Sequence, residues 1–341
     1  MEVFARRPDI TTSADDALKR VAATLDAELK EVDARIAKQA SVFDPAIEGY
    51  VAYAMGSRGK RLRPLVALLS GGASGAITSA HSDLAVIVEL IHVATLVHDD
   101  IIDEAERRRA QPTVNARWGN SLSVLLGDCL FAHALNLATS FDNVEISRGI
   151  ARAAREVCSG EIIQTQRRFD LHLGIADYLR IIGMKTGSLF AAAAEFGSVL
   201  SEAEPETIAV FREFGMKFGT AYQVYDDCLD LAGDERTTGK TLGTDLRKGK
   251  LTLPILMLLG TAPAAERERL SDLILEGRTE EIGELLTNSS RGNALNASID
   301  AGQRMIRAAQ MSLDSVPAGS HLESLIELGG ALTAMLDQLR P

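Results

Sequence analysis

Two acidic clusters are the residues best suited to chemistry in this chain. The first is His98-Asp99-Asp100-Ile101-Ile102-Asp103-Glu104, and the second is Tyr225-Asp226-Asp227-Cys228-Leu229-Asp230. On a helix, positions i and i+4 share a face, so Asp99 pairs with Asp103 and Asp226 with Asp230. Like charges so placed weaken a bare helix, and the apolar residues preceding each cluster add a desolvation penalty. A divalent cation between the oxygens removes both. Every candidate ligand is a carboxylate and no Cys or His stands at ligand spacing, which selects a hard cation, Mg2+ or Mn2+. Mg2+ keeps waters and takes one or two carboxylates together with substrate phosphates, so two half-sites imply a phosphate ligand between them. A lone cluster would read as a solvated helix end. Two in one chain, each closing an apolar helix, do not.

Basic residues flank both clusters. Arg107-Arg108-Arg109 follows the first and leads into Ala110-Gln111-Pro112-Thr113; guanidinium forks are natural bidentate partners of phosphate oxygens. Upstream, Gly59-Lys60-Arg61-Leu62-Arg63-Pro64 sets three cations before an apolar helix expected to begin at Pro64. After the second cluster, Lys240, Asp245, Lys248 and Lys250 lie in a Gly- and Thr-rich stretch. The segment Gly233 to Thr241 imitates a nucleotide-binding P-loop, but its glycine spacing is one residue too long and it follows a helix rather than a strand.

The elements that must position these residues read as helices. No proline occurs between Pro112 and Pro205, as suits long helices, because an interior proline costs about 3 kcal/mol. Apolar residues recur with helical period over Asp15–Ala40, Ser82–Ala105, Ser121–Thr139, Ile146–Arg168, Ile175–Leu200 and Pro205–Ala232. Alternating strand-like runs and hairpin dipeptides are absent. The pattern predicts one all-α domain over residues 1–341, a thick helical bundle with residues 1–15 as a flexible lead-in.

Composition narrows the function. Of 341 residues, 46% are hydrophobic and 24% charged, which excludes disorder, collagen and a coiled-coil rod. The net charge of −11 argues against nucleic acid or an anionic membrane as partner. Three scattered cysteines, Cys129, Cys158 and Cys228, fit a reducing compartment and no disulfide framework. With no signal-like start and no uninterrupted apolar run of membrane-spanning length, the expectation is a cytoplasmic protein without a membrane span.

Taken together, these motifs resemble the trans-isoprenyl diphosphate synthases, or polyprenyl synthetases. The match runs from about Tyr50 to Pro254. It includes Gly59 to Pro64, Glu89-Leu-Ile-His92 leading into Asp99 to Asp103, Arg108-Arg109 before Pro112-Thr113, and Gly127-Asp128. It continues through Lys185-Thr186-Gly187, Gln223-Val-Tyr-Asp226-Asp227-Cys-Leu-Asp230, Gly239-Lys240 and Gly249-Lys250-Leu-Thr-Leu-Pro254. Ala110 departs from the family's usual glycine after the paired arginines.

The resemblance implies an isoprenoid-synthase helical bundle around a deep central cavity, usually a homodimer. It also implies condensation of an allylic diphosphate (dimethylallyl, geranyl or farnesyl) head-to-tail with isopentenyl diphosphate, releasing pyrophosphate. By position, Asp99 and Asp103 then look like ligands of two Mg2+ ions, and Asp226 with Asp230 of a third, with Mn2+ able to substitute. Arg108, Lys185 and Lys240 look like contacts to the allylic diphosphate, and Lys60, Arg63, His92 and Arg109 like the isopentenyl diphosphate site. Lys250 joins the substrate-binding set. Thr186 and Gln223 resemble residues facing the allylic cation, where dipoles and excluded water would stabilise it. His98 and Cys228 read as structural.

Product length follows from helix geometry. Ala94 and Thr95 lie about one turn before Asp99, where short-chain members carry a bulky aromatic, and Ile91 and Leu90 lie a turn further back. No aromatic residue occurs between Tyr53 and Trp118. The expectation is an open tunnel and a product longer than twenty carbons, with geranylgeranyl or farnesyl diphosphate as the alternative products. A terpene cyclase would not need Lys60, Arg63 and Arg109, a non-catalytic synthase subunit tends to lose aspartates from one cluster, and a helical metal hydrolase would want histidine ligands.

Overall fold

The structure, a computed structural model, describes residues 14–56, 59–108, 111–232, 243–287 and 293–340. Among these residues the chain is helical apart from one antiparallel ladder two residues deep, with Arg107 opposite Pro112 and Arg108 opposite Gln111. The first eleven helices are α1 (Ala14–Ala23), α2 (Asp26–Gln39), α3 (Pro45–Met55), α4 (Leu62–Ser74), α5 (Ser79–Ile102), α6 (Val114–Trp118), α7 (Asn120–Ala138), α8 (Val144–Gln166), α9 (Ile175–Ile182), α10 (Ser188–Leu200) and α11 (Pro205–Ala232). Six more follow: α12 (Thr244–Arg247), α13 (Leu253–Thr261), α14 (Ala264–Leu275), α15 (Thr279–Thr287), α16 (Asn293–Ser312) and α17 (Ser320–Asp337). Residues 1–13 of the expected flexible lead-in lie outside the described residues, and α1 already includes Ala14 and Asp15.

Local chemistry explains several starts. Asp44 caps α3, accepting from the Ala46 N–H at 2.8 Å, with Pro45 in the first helical position. Asn143 caps α8 through the Glu145 N–H at 3.0 Å. Helix α4 begins at Leu62, two residues earlier than expected, with Arg61 in the left-handed region at φ 50°. Pro64 is tolerated there because a first-turn N–H has no intrahelical partner to lose.

Two expected helices differ in detail. The Asp15–Ala40 stretch divides into α1 and α2 near Thr24, whose hydroxyl donates to the Val21 carbonyl at 2.7 Å and competes with the helical ladder. Ile175–Leu200 is interrupted by a π-helical turn, Gly183–Gly187, joining α9 to α10. Such turns are uncommon and concentrate at functional sites. This one carries Lys185 and Thr186.

The core centres on α11, which packs against α10 and α16, while α5 lies between α4 and α7. Helix α5 is buried on nearly every side from Leu84 to Ile91, as a helix apolar all round must be. Phe190 of α10 meets Phe218 of α11 edge to face, ring centroids 5.6 Å apart. Gly215 lets these two helices close, since a Cβ there would lie 2.4 Å from the Phe190 carbonyl oxygen.

Candidate active site

The C-terminal ends of α5 and α11 open into one cavity of about 1290 Å³. Asp99 and Asp103 line it from α5, and Asp226, Asp227 and Asp230 from α11. Lys185, Thr186, Lys248 and Lys250 also reach it, as do Lys60, Arg63, His92 and Arg108. Of the residues anticipated from sequence, Arg109 and Lys240 lie outside the described residues. The others converge.

The first acidic cluster is shared between unlike surroundings. Burial pushes Asp99 up to about 6, with the charges of Glu161 and Asp103 adding to it against Lys185 and Lys250. Burial would also raise Asp103, but cations outweigh it and hold it below its ordinary value. The Lys250 ammonium donates to it at 3.0 Å, Arg168 at 3.3 Å, and the Lys248 ammonium stands 3.9 Å away. Asp100, buried between them in sequence, takes the Arg108 guanidinium in a fork of 2.7–3.2 Å. Thr113 steadies the chain just beyond, its hydroxyl donating to the Ala105 carbonyl at 2.6 Å.

The second cluster is divided in function by its hydrogen bonds. Burial, with the charge of Asp245, pushes Asp230 up to about 7, although it accepts the backbone N–H groups of Asp245 at 3.1 Å and Thr244 at 3.3 Å. Asp227 faces inward. It accepts from the Tyr178 hydroxyl and from Gln223 Nε2 at 2.9 Å, while burial and Asp245 push it up to about 8. Gln223 in turn accepts the Thr186 hydroxyl at 2.7 Å.

Between the clusters, Lys185 pairs with Glu161 and donates to Gln164 Oε1 at 2.9 Å, both on α8. Helix α8 reaches the π turn this closely because Gly160 has no side chain. A Cβ there would lie 2.6 Å from the Lys185 amide nitrogen. Lys250 lies 3.4 Å from Asp245 as well as on Asp103, and these charges hold it above its ordinary value despite burial.

At the α4 end, the three cations of the Gly59–Pro64 segment separate. Arg61 is committed to Glu89 at 2.6 Å and Asp33 at 3.0 Å. Lys60 stays exposed on the cavity rim. Arg63 sits over the Phe190 ring, 4.6 Å from its centroid, and its buried Nε has no acceptor among the described residues. An orphaned guanidinium N–H facing a cavity is suited to an anionic ligand.

The donor set also fits hard divalent cations. The carboxylates of the two helix ends face one space, and three of them, Asp99, Asp227 and Asp230, are driven toward protonation when no cation neutralises them. Among the described residues no three His, Cys, Asp or Glu side chains close around a single point. Oxygens from a ligand would have to complete any coordination shell, as expected for Mg2+.

Sequence reasoning missed Glu161, Gln164, Arg168 and Tyr178. The Glu161-x-x-Gln164 spacing, one face of a helix, was the available signal for the first two. It also misplaced one wall residue. Thr95 lines the cavity, but Ala94 is fully buried among other helices and does not. Phe131 of α7 and Val157, Cys158 and Ile162 of α8 also line the cavity.

A family model described as polyprenyl synthetase matches residues 44–288. The chain is 34% identical to the all-trans-nonaprenyl-diphosphate synthase (geranyl-diphosphate specific) of Rhodobacter capsulatus, over 79% of its own length and 83% of that protein's. A decaprenyl diphosphate synthase structure from Rhodobacter capsulatus superposes with a TM-score of 0.87 at 32% identity, covering 95% of this chain and all of that one. A polyprenyl synthase from Caulobacter crescentus CB15, complexed with calcium and isoprenyl diphosphate, gives 0.79 at 33% identity over 93% and 97% of the two chains.

Proposed function

The chain belongs to the polyprenyl synthetase family, and from that premise we propose how its cavity joins an allylic diphosphate to isopentenyl diphosphate. It is a trans-prenyltransferase of the isoprenoid-synthase fold, and its product is a polyprenyl diphosphate longer than twenty carbons. The reaction is divalent-metal dependent. One observation supports the assignment of roles above all others. Two carboxylate-bearing helix ends, with Lys185 and Lys250 among them, face a single cavity that also has apolar lining from α7 and α8.

In this reading, Asp99 and Asp103 hold two Mg2+ ions and Asp226 with Asp230 a third, with Mn2+ able to substitute. Bound there, the cations would neutralise the diphosphate as its carbon–oxygen bond breaks. Arg108, Lys185, Lys240 and Lys250 bind the allylic diphosphate and stabilise the charge that grows on its oxygens. Lys60, Arg63, His92 and Arg109 hold isopentenyl diphosphate, and the orphaned Arg63 Nε supports that placement. Thr186 and Gln223 offer oxygen lone pairs and amide dipole to the allylic carbon in a space from which water is excluded. Thr95, small and one turn above Asp99, leaves the tunnel open to a growing chain.

Helix α7 is long and apolar enough to cross a membrane by length and composition alone. We read its outward residues, Val124 at 43% and Leu125 at 68% exposed, as the contact of a cytoplasmic homodimer instead. Light scattering on the purified protein checks that reading, and a monomer at micromolar concentration contradicts it.

The activity is tested by supplying Mg2+, labelled isopentenyl diphosphate and each of the dimethylallyl, geranyl and farnesyl primers in turn. Reversed-phase chromatography should resolve products longer than twenty carbons with at least one primer. Failure of every primer to take up label would overturn the assignment.

A further inference from the structure

Tyr178 lies on α9, outside every motif read from the sequence, and is only 2% exposed. Its hydroxyl donates to Asp227 Oδ2. The other oxygen of Asp227 takes the Gln223 amide nitrogen at 2.9 Å. Both oxygens of this carboxylate therefore have inward partners, although Asp227 stands next to Asp226 in the acidic cluster.

The consequence passes to the cavity. The Gln223 amide nitrogen faces Asp227 and its carbonyl oxygen faces Thr186; with Asp227 Oδ2 taken by Tyr178, Oδ1 is the acceptor that holds the amide this way round. Thr186 then spends its one hydroxyl hydrogen on Gln223 Oε1, at 2.7 Å. What remains for the cavity, which Thr186 lines, is the pair of lone pairs on its oxygen. Were the amide turned over, Thr186 would accept from it and point its hydrogen at the reacting carbon. That is the wrong sign for a centre gaining positive charge.

We propose that Tyr178 is a positioning residue for prenyl transfer, anchoring Asp227 so that Gln223 turns the lone pairs of Thr186 toward the allylic carbon. The inference rests on the prenyltransferase reading of the cavity.

The test is a double-mutant cycle on the full-length protein with Tyr178→Phe, Thr186→Val and the pair, reading kcat and KM for both diphosphates. Outer hydrogen-bond partners of a reactive group commonly contribute about 10- to 100-fold. Tyr178→Phe should lower kcat about tenfold at unchanged KM, yet change kcat by less than about twofold when Thr186 is already Val. An unchanged kcat, or the same loss in both backgrounds, would overturn the inference while leaving prenyl transfer intact. A wild-type protein that condenses no substrate would overturn both. Should Tyr178→Phe fail to fold, Gln223→Glu, which replaces the amide nitrogen facing Asp227 with a carboxyl oxygen, must lose kcat at unchanged KM, and full kcat there contradicts the proposal.

Discussion

The Lys250 ammonium donates to Asp103 at 3.0 Å, on the carboxylate proposed above as a metal ligand. The same ammonium lies 3.4 Å from Asp245, so in the metal-free protein it neutralises two acids at once. Occupation of Asp103 by a cation would release Lys250 toward the diphosphate. Lys250→Met should therefore raise KM for the allylic diphosphate about tenfold or more, since a charge-assisted hydrogen bond is worth about 1.5–3 kcal/mol. It should also destabilise the metal-free protein, because half-buried Asp103 and Asp245 lose a partner. Mg2+ with pyrophosphate should then raise the melting temperature more in the variant than in the wild type. An equal or smaller increase contradicts this exchange of partners.

Asp230 gives a pH dependence of determined sign. Its carboxyl is pushed up to about 7 from an ordinary value of 3.8 by burial and Asp245. The folded state thus holds this proton more tightly, and the associated stability is complete below pH 3.8 and lost as pH rises through about 7. Without metal, the melting temperature of Asp230→Asn should gain on the wild type as pH rises from about 4 to 7 and stand above it at pH 8. With Mg2+ and pyrophosphate the order should reverse, because the variant has lost a ligand. A metal-free variant that melts below the wild type at pH 8 would contradict the buried-charge account.

The tunnel wall can be tested one position at a time. Thr95→Phe places a ring in the cavity a turn above Asp99 and should shorten the product, with activity retained. Ala94→Phe instead overpacks the core and should cost about 1–3 kcal/mol of stability. Chromatography of products and thermal melting distinguish the two. A Thr95→Phe enzyme making full-length product would remove α5 from the length-setting wall.

Gly160 makes the close approach of α8 to the π turn possible. Gly160→Ala would press a Cβ against the Lys185 backbone, within 2.6 Å of its amide nitrogen and 2.9 Å of its Cα, so the turn has to shift. The variant should melt lower than the wild type and lose most of its kcat. An unchanged kcat would show that Lys185 tolerates displacement.

What the sequence disclosed, and what it hid, follows from the range of each signal. Asp99 with Asp103, and Asp226 with Asp230, were legible because their partners lie one helical turn away. The long helices were legible for the same reason. The π turn was not, since five residues cannot separate its period from an α-helix within one apolar pattern. Tyr178 was hidden because its partner Asp227 lies 49 residues onward, and Arg168 because its contact to Asp103 spans 65. Ala94 was misassigned since spacing from Asp99 fixes a turn but not which neighbour each side of α5 meets.

The central claim, that the two acidic clusters act on one diphosphate, is tested most directly by label incorporation in folded Asp99→Ala and Asp226→Ala variants. Each should lose about a thousandfold or more in kcat with an unchanged helical circular dichroism spectrum, as loss of the main charge stabilisation at a reacting centre entails. Full activity in either variant would contradict the account.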